Sequence, residues 1–207
     1  RGRQRGRAGM KRVAVLVSGG GTNLQALLDS ERRGENPNGS ICLVLASKPG
    51  VYALQRAADA GVKSVVVSRK AFATAEEFDE ALLYELQTNH IDVVVLAGFL
   101  SVLGKKVIAA YRNKILNVHP SLIPSFCGPG FYGLRVHEAA LARGVKITGA
   151  TVHLVNEECD GGPILLQKAV AVQPDDTPET LQKRVMVEAE WQLLPQALAM
   201  VCRDEVE

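Results

Sequence analysis

Asn117 and His119 stand two residues apart in an apolar run, KILNVHPSLIPSF at residues 114–126, and Pro120 locks the peptide that follows. Residues two apart on a strand point the same way, so amide and imidazole face one pocket. An imidazole takes up and releases protons near neutral pH, and a side-chain amide donates to an oxygen that becomes negative. The pair reads as acid–base and oxyanion chemistry. The competing reading is a core histidine satisfied by backbone groups. Pro120, Pro124 and the loop SFCGPGFYG favour the first, because they build a long structured loop beside the pair. Asp160, in the turn EECDGGP, supplies a carboxylate. Gly161 and Gly162 beside it permit unusual backbone angles or the close approach of a ligand. An ordinary turn aspartate explains it equally well, and spacing does not show whether it meets His119. His153 alternates with apolar residues in TVHLV and reads as structural, while His90 and His137 lie on or beside helices without an evident role. Cys127 lies near His119 in the chain but has no adjacent base and reads as non-catalytic. No histidines have metal-ligand spacing, so no metal is expected.

The second candidate is a glycine turn, SGGGTN at residues 18–23. Glycines let backbone approach an anion, and a following helix offers free N–H groups and its positive dipole end. Phosphate is the natural ligand; a merely tight turn is the alternative. No Gly-Lys-Ser/Thr follows, and Leu24 stands where a dinucleotide fingerprint needs its third glycine. The next strand ends in ASKPG, without an acid for a ribose hydroxyl. A mononucleotide-like phosphate therefore fits better than NAD.

The elements that must position these groups follow from hydrophobic pattern. Residues 12–17 read as a strand buried on both faces, 41–47 as a second buried strand, 64–68 as a short third and 91–98 as a fourth, and the run before His119 is a fifth. Helical spacing falls after 22, over 51–61 and over 75–89. This alternation implies a Rossmann-like open, mostly parallel α/β sheet with helices on both faces, its ligands at the strands' carboxyl ends. Residues 134–143 are helical, 146–156 and 163–173 form a hairpin, and a long helix closes the chain, with Pro178 in its first turn and a kink expected at Pro195. Residues 10–207 are read as one domain, and the arginine-rich residues 1–9 as a disordered leader or expression remnant. The 207 residues carry a formal net charge of +2, with no pull toward nucleic acid or membrane. No apolar run reaches membrane-span length, and no signal peptide is evident. Four dispersed cysteines suit a reducing cytoplasm.

Taken in order, VAVLVSGGGTNLQALL, VVVLAGFL, ILNVHPSLIPSF, HEAAL, TGATVHLVNEECDGGPILLQ and DTPETLQKRV resemble the phosphoribosylglycinamide formyltransferases, a branch of the folate-dependent formyltransferase superfamily. The resemblance runs from about Lys11 into the last helix. It implies formyl transfer from 10-formyltetrahydrofolate, as co-substrate, to glycinamide ribonucleotide in purine synthesis, by a monomer or homodimer. It assigns catalysis to Asn117, His119 and Asp160, with His119 held cationic by Asp160. Gly21, Thr22, Asn23 and Glu190, or Glu188 in its place, match substrate-binding positions. Leu100, Ser101, Val102, Leu103, Glu158 and Cys159, with Asn117 and Asp160, match folate-binding ones. The chain also departs from the pattern. Ser101 and Ala75 stand at positions that are often basic, Trp191 stands at a histidine position, and alignment there needs one inserted residue. Lys183 or Arg184 would then have to compensate near the phosphate. A formyltetrahydrofolate hydrolase without its regulatory domain is the nearest alternative; only about ten residues precede the first strand, which argues against it. A transformylase acting on formylmethionyl-tRNA would bring a tRNA-binding domain. A non-catalytic phosphate-binding module explains the glycine turn but gives the trio no task.

Overall fold

The computed structural model describes residues 9–206. The expected leader falls, but for Gly9, outside them. Seven strands form one sheet: β1 (Lys11–Val17), β2 (Gly39–Ala46), β3 (Lys63–Val66), β4 (Val93–Leu96), β5 (Ile115–His119), β6 (Ile147–Leu154) and β7 (Ile164–Ala171). Their order is β3-β2-β1-β4-β5-β6-β7. The first five are parallel, and the hairpin β6–β7 adds antiparallel to β5. The helices are α1 (Thr22–Arg32), α2 (Tyr52–Asp59), α3 (Ala75–Thr88), α4 (Lys105–Ala110), α5 (Leu134–Arg143), α6 (Pro178–Val185) and α7 (Trp191–Cys202).

The central strand shows why the apolar runs are unbroken. Val13, Val15 and Val17 of β1 join a core layer with Leu24, Leu27, Leu194 and Leu198 from α1 and α7. Ala14 and Leu16 face the other way, onto Phe78, Leu82, Leu86 and Val107 from α3 and α4. Each fully buried aliphatic side chain contributes roughly 1.5–3 kcal/mol relative to exposure. A polar residue on either face would therefore forfeit core. Strand order reverses between β1 and β4, so their carboxyl ends open a crevice.

Two elements differ from the sequence reading. Helix α4 was not expected, because six residues, KKVIAA, are too few to show a period. It is started from outside its own sequence. The buried Asp79 of α3 accepts from Gly104 N at 2.7 Å and Lys106 N at 3.0 Å, supplying the N-terminal carboxylate that helix amides favour. The closing helix breaks its α geometry one turn before Pro195. A π turn (Met186–Glu190) joins α6 to α7, and Trp191 N–H reaches back to the Met186 carbonyl. Proline lacks the N–H and presses on the carbonyl four residues back, here that of Trp191, so the ladder is loosened beside it.

Candidate active site

Asn117 and His119 end β5 on one face, and the pairing with β6 puts His153 directly opposite Asn117 and Thr151 opposite His119. Cross-strand partners touch. His153 Nδ1 lies 2.9 Å from the Leu154 carbonyl. A proton there leaves Nε2 to accept from Asn117 Nδ2, at 3.2 Å. That fixes the Asn117 amide and leaves its second N–H for the cavity. His119 is buried, and its Nε2 donates to the Phe126 carbonyl at 2.8 Å. The loop after Pro120 thus returns to orient the ring. Nδ1 is the remaining proton site.

Asp160 meets both rings. Its Oδ2 stands 3.7 Å from His119 Nδ1, and its Oδ1 stands 3.7 Å from His153 Nε2. Gly128 N–H donates to Oδ2 at 2.9 Å, tying the two loops together. Asp160 itself holds a left-handed φ of 53°, a strained conformation for a residue with a side chain. Gly162 is required for close approach: a Cβ there would lie 1.7 Å from the Leu154 carbonyl oxygen. Burial works to raise the Asp160 carboxyl, but His153, the Gly128 N–H and His119 together hold it below the usual range. For His119 burial wins. It pushes the imidazole below its ordinary value, His153 adds to this, and the Phe126 carbonyl and Asp160 oppose it without prevailing. The expectation that Asp160 holds His119 cationic is corrected accordingly. A separation of 3.7 Å is longer than a hydrogen bond, so the carboxylate does not offset the desolvation of the ring.

The glycine turn forms the opposite wall. Gly21 has a φ of 77° and caps α1 with no side-chain bond to the helix amides. The first-turn N–H groups of α1 therefore lack a side-chain partner. A Cβ at Gly21 would come within 2.7 Å of the Ala53 Cβ, so only glycine fits. Arg56 Nε donates to the Gly20 carbonyl at 2.8 Å, which leaves the Gly21 N–H of that trans peptide directed away from Arg56. Ser18 Oγ pairs with Ser47 Oγ at 2.6 Å and accepts from Leu100 N at 2.9 Å, joining the turn to the loop after β4.

The two glutamates of the π turn differ in where they lie. A turn closed by an i→i+5 bond holds one residue more than an α turn. Eight residues of unbroken α-helix end roughly 80° round from their start. Widening one turn removes most of that lag, and Gln182, Met186 and Glu190 all line the cavity. Glu190 is 5% exposed, and its Oε1 accepts from Asn23 Nδ2 at 3.3 Å. Its Oε2 and the Asn23 Oδ1 have no partner in the protein. Burial pushes the Glu190 carboxyl up to about 7, against a smaller lowering by Asn23. Glu188 is exposed and lies 3.9 Å from Arg184 Nε. Arg184 is committed to Asp176 through two short contacts, and Lys183 is exposed; neither lines the cavity. The expectation that they compensate near the phosphate is not met.

Asn117, His119, His153, Asp160, the glycine turn and Glu190 line one cavity of about 800 Å³, together with Leu100, Ser101, Val102, Leu103, Glu158 and Cys159. This is the upper part of the range for ligand sites. Leu100 is 59% and Val102 86% exposed, an apolar rim beside the trio. Ala75 opens α3 outside the cavity. Among the described residues that line it, none is lysine or arginine.

A model of the family described as Formyl transferase matches residues 11–198. The chain belongs to the formyl transferase family. It is 40% identical to the phosphoribosylglycinamide formyltransferase of Haemophilus influenzae, over 90% of this chain and 84% of that one. It is 43% identical to the trifunctional purine biosynthetic protein adenosine-3 of Homo sapiens over 95% of its own length, but spans only 19% of that protein. For the Drosophila melanogaster counterpart that share is 14%. The crystal structure of glycinamide ribonucleotide transformylase 1 from Symbiobacterium toebii superposes with a TM-score of 0.89 at 40% identity, covering 96% of this chain and 90% of that one.

Cys127 Sγ donates to the Pro124 carbonyl at 3.4 Å, and burial, Asp160 and Glu158 push its thiol up. Cys159 is raised by the same kinds of cause. Thiolate is disfavoured at both, as the non-catalytic reading of Cys127 requires. His153 carries the backbone bond expected of a structural histidine, yet it also contacts Asn117 and Asp160. Only the β5–β6 register shows this. His137 was passed over as a helix residue; it is 1% exposed, lines the cavity, and neither ring nitrogen has a protein partner. The sequence signal was present in the polar residue between apolar Val136 and Ala140, both fully buried. No group of three His, Cys, Asp or Glu among the described residues is arranged to hold a metal, and no described helix is long and apolar enough to cross a membrane.

Proposed function

We propose that the chain transfers the formyl group of 10-formyltetrahydrofolate to the amine of glycinamide ribonucleotide, with residues 10–207 as one catalytic domain. The observation that carries this is the convergence of Asn117, His119 and Asp160 with an uncapped helix N-terminus in a single cavity. The family membership and the names of the similar proteins support the same reading.

The phosphate is held by the N–H groups of Gly21, Thr22 and Asn23. The unpartnered acceptors Glu190 Oε2 and Asn23 Oδ1 take donors, which the ribose hydroxyls provide. The pterin packs against Leu100, Ser101, Val102 and Leu103 and the loop carrying Glu158 and Cys159. With both ligands side by side, proximity supplies much of the rate. The neutral amine attacks the formyl carbon, and the carbonyl oxygen becomes an oxyanion. The free N–H of Asn117 donates to it. His119, neutral at the outset, takes the amine proton on Nδ1, and the imidazolium so formed is stabilised by Asp160. The same proton passes to the folate nitrogen as its bond to carbon breaks, and tetrahydrofolate leaves. Removing an oxyanion donor costs on the order of 100- to 1,000-fold in rate.

The test is to incubate the protein with 10-formyltetrahydrofolate, with and without glycinamide ribonucleotide, and follow tetrahydrofolate and formate. Folate turnover is expected only with the nucleotide. His119→Ala and Asp160→Ala should each reduce it severely in a folded protein. Formate released equally without the nucleotide would identify a hydrolase, and no folate turnover would leave a binding module.

A further inference from the structure

We infer that His137 binds the glycinamide arm of the acceptor nucleotide, as a substrate contact additional to Asn117, His119 and Asp160. The inference rests on the acceptor proposed above. Buried polar atoms in folded proteins are almost always hydrogen-bonded, yet both ring nitrogens of His137 are buried and unpartnered while the residue lines the cavity. Two orphaned atoms on one wall-lining ring mark a place where a ligand completes the bonding. Packing alone would be served by an apolar residue, as it is at Val136 and Ala140 on the same helix.

The location selects the part of the substrate. Helix α5 packs on α6, and Gln182 of α6 lines the same cavity as Glu190. On its other side His137 is close enough to His119 to feel its charge. His137 therefore stands between the reacting pair and the wall that takes the ribose. The segment of substrate that spans this interval is the arm joining the ribose to the reacting amine. Burial, and then His119, push the His137 imidazole down to about 4. It is thus uncharged near neutral pH and offers one N–H donor and one lone pair. The amide of the glycinamide arm offers the matching carbonyl and N–H.

Initial rates with each substrate varied in turn test the inference, using His137→Phe and His137→Ala to remove the nitrogens and His137→Asn to restore a donor and an acceptor. The Phe variant should raise KM for glycinamide ribonucleotide by about tenfold, the worth of a lost hydrogen bond that leaves its partner unsatisfied. KM for 10-formyltetrahydrofolate should stay within about twofold, with part of the loss recovered by Asn. Its melting temperature should not fall, because the change removes two unpartnered buried atoms. A purely structural histidine, or one that serves only an internal water, would leave the nucleotide KM unchanged in a folded variant or raise both KM values alike; either result overturns the inference. If the Phe variant does not fold, the Ala variant carries the same comparison. Wild-type protein without nucleotide-dependent turnover would instead overturn the choice of acceptor, and this inference with it.

Discussion

Glu190 shows how one residue can serve a site at a cost to the fold. Its carboxyl is buried, accepts from Asn23 alone, and protonates at about 7 rather than at the ordinary 4.5. Between those values the folded chain holds a proton that the unfolded chain releases. The resulting stability is present in full below about pH 4.5 and is lost as pH rises through about 7. The difference, some 2.5 pK units, corresponds to on the order of 3 kcal/mol when the carboxylate is charged. Glu190→Gln keeps the shape without the charge. At pH 8 it should melt higher than the wild type by roughly 5 °C or more, and at pH 4.5 the two should nearly coincide. Thermal denaturation at both pH values reads this directly, and an equal gap at the two would mean that Glu190 is not the titrating group. Sequence resemblance narrowed the choice to Glu190 or Glu188, but only burial separates them. His137 escaped the sequence reading for a related reason: an imidazole at helical spacing looks the same whether its nitrogens are bonded or orphaned.

The helical run from Pro178 to Cys202 widens at one point, the π turn Met186–Glu190. The π turn holds one residue more than an α turn, and α7 keeps Leu193, Leu194, Ala197, Leu198 and Val201 in the core. The turn is braced from outside: Gln192 Nε2 donates to the Val187 carbonyl at 3.2 Å, and Lys168 of β7 donates to Gln192 Oε1 at 2.6 Å. Val187 is 44% exposed, so the extra residue bulges toward solvent. Deleting Val187 should close the turn to α spacing, leave both helices in phase, and change the melting temperature by no more than about 3 °C, as for a surface change. Deleting the exposed Gln196 removes one residue where no wide turn exists to take it up. That rotates Ala197, Leu198 and Val201 by roughly 100° and should abolish cooperative melting. Similar destabilisation by the two deletions would show that the π turn does not carry the extra residue. Four of the parallel strands, β1, β2, β4 and β5, were legible from their apolar runs because burial writes itself into composition, while the exposed edge strand β3 shows only as a short β-branched run. Helix α4 and the π turn were not legible. One is started by a carboxylate from α3, and the other lies one turn before Pro195, beside the ladder that proline loosens; neither leaves a periodic trace in its own residues.

At the scale of the whole molecule, a fold with a formal charge of +2 presents no lysine or arginine among the described residues lining its cavity. Of the acids there, two are moderated by their surroundings. Glu157 is paired with Arg112 outside and Glu190 is half protonated near neutrality, while Asp160 and Glu158 add negative charge to the wall. An anionic nucleotide would therefore be recognised by short-range backbone N–H contacts at α1 rather than drawn in by a field of fixed cations. This separates two ways of holding the same phosphate. Sites built on several exposed cations lose affinity steeply as salt shortens the screening length from about 30 Å at 0.01 M to about 8 Å at 0.15 M. A phosphate held in a crevice by oriented amides is screened much less. In turnover assays, kcat/KM for glycinamide ribonucleotide should fall by less than about threefold between those ionic strengths. A loss of tenfold or more would mean that a basic group outside the described wall reaches the phosphate. In that case Gly20→Ala should leave the salt dependence intact, while neutralising Arg56, the guanidinium bonded behind the turn, should remove it.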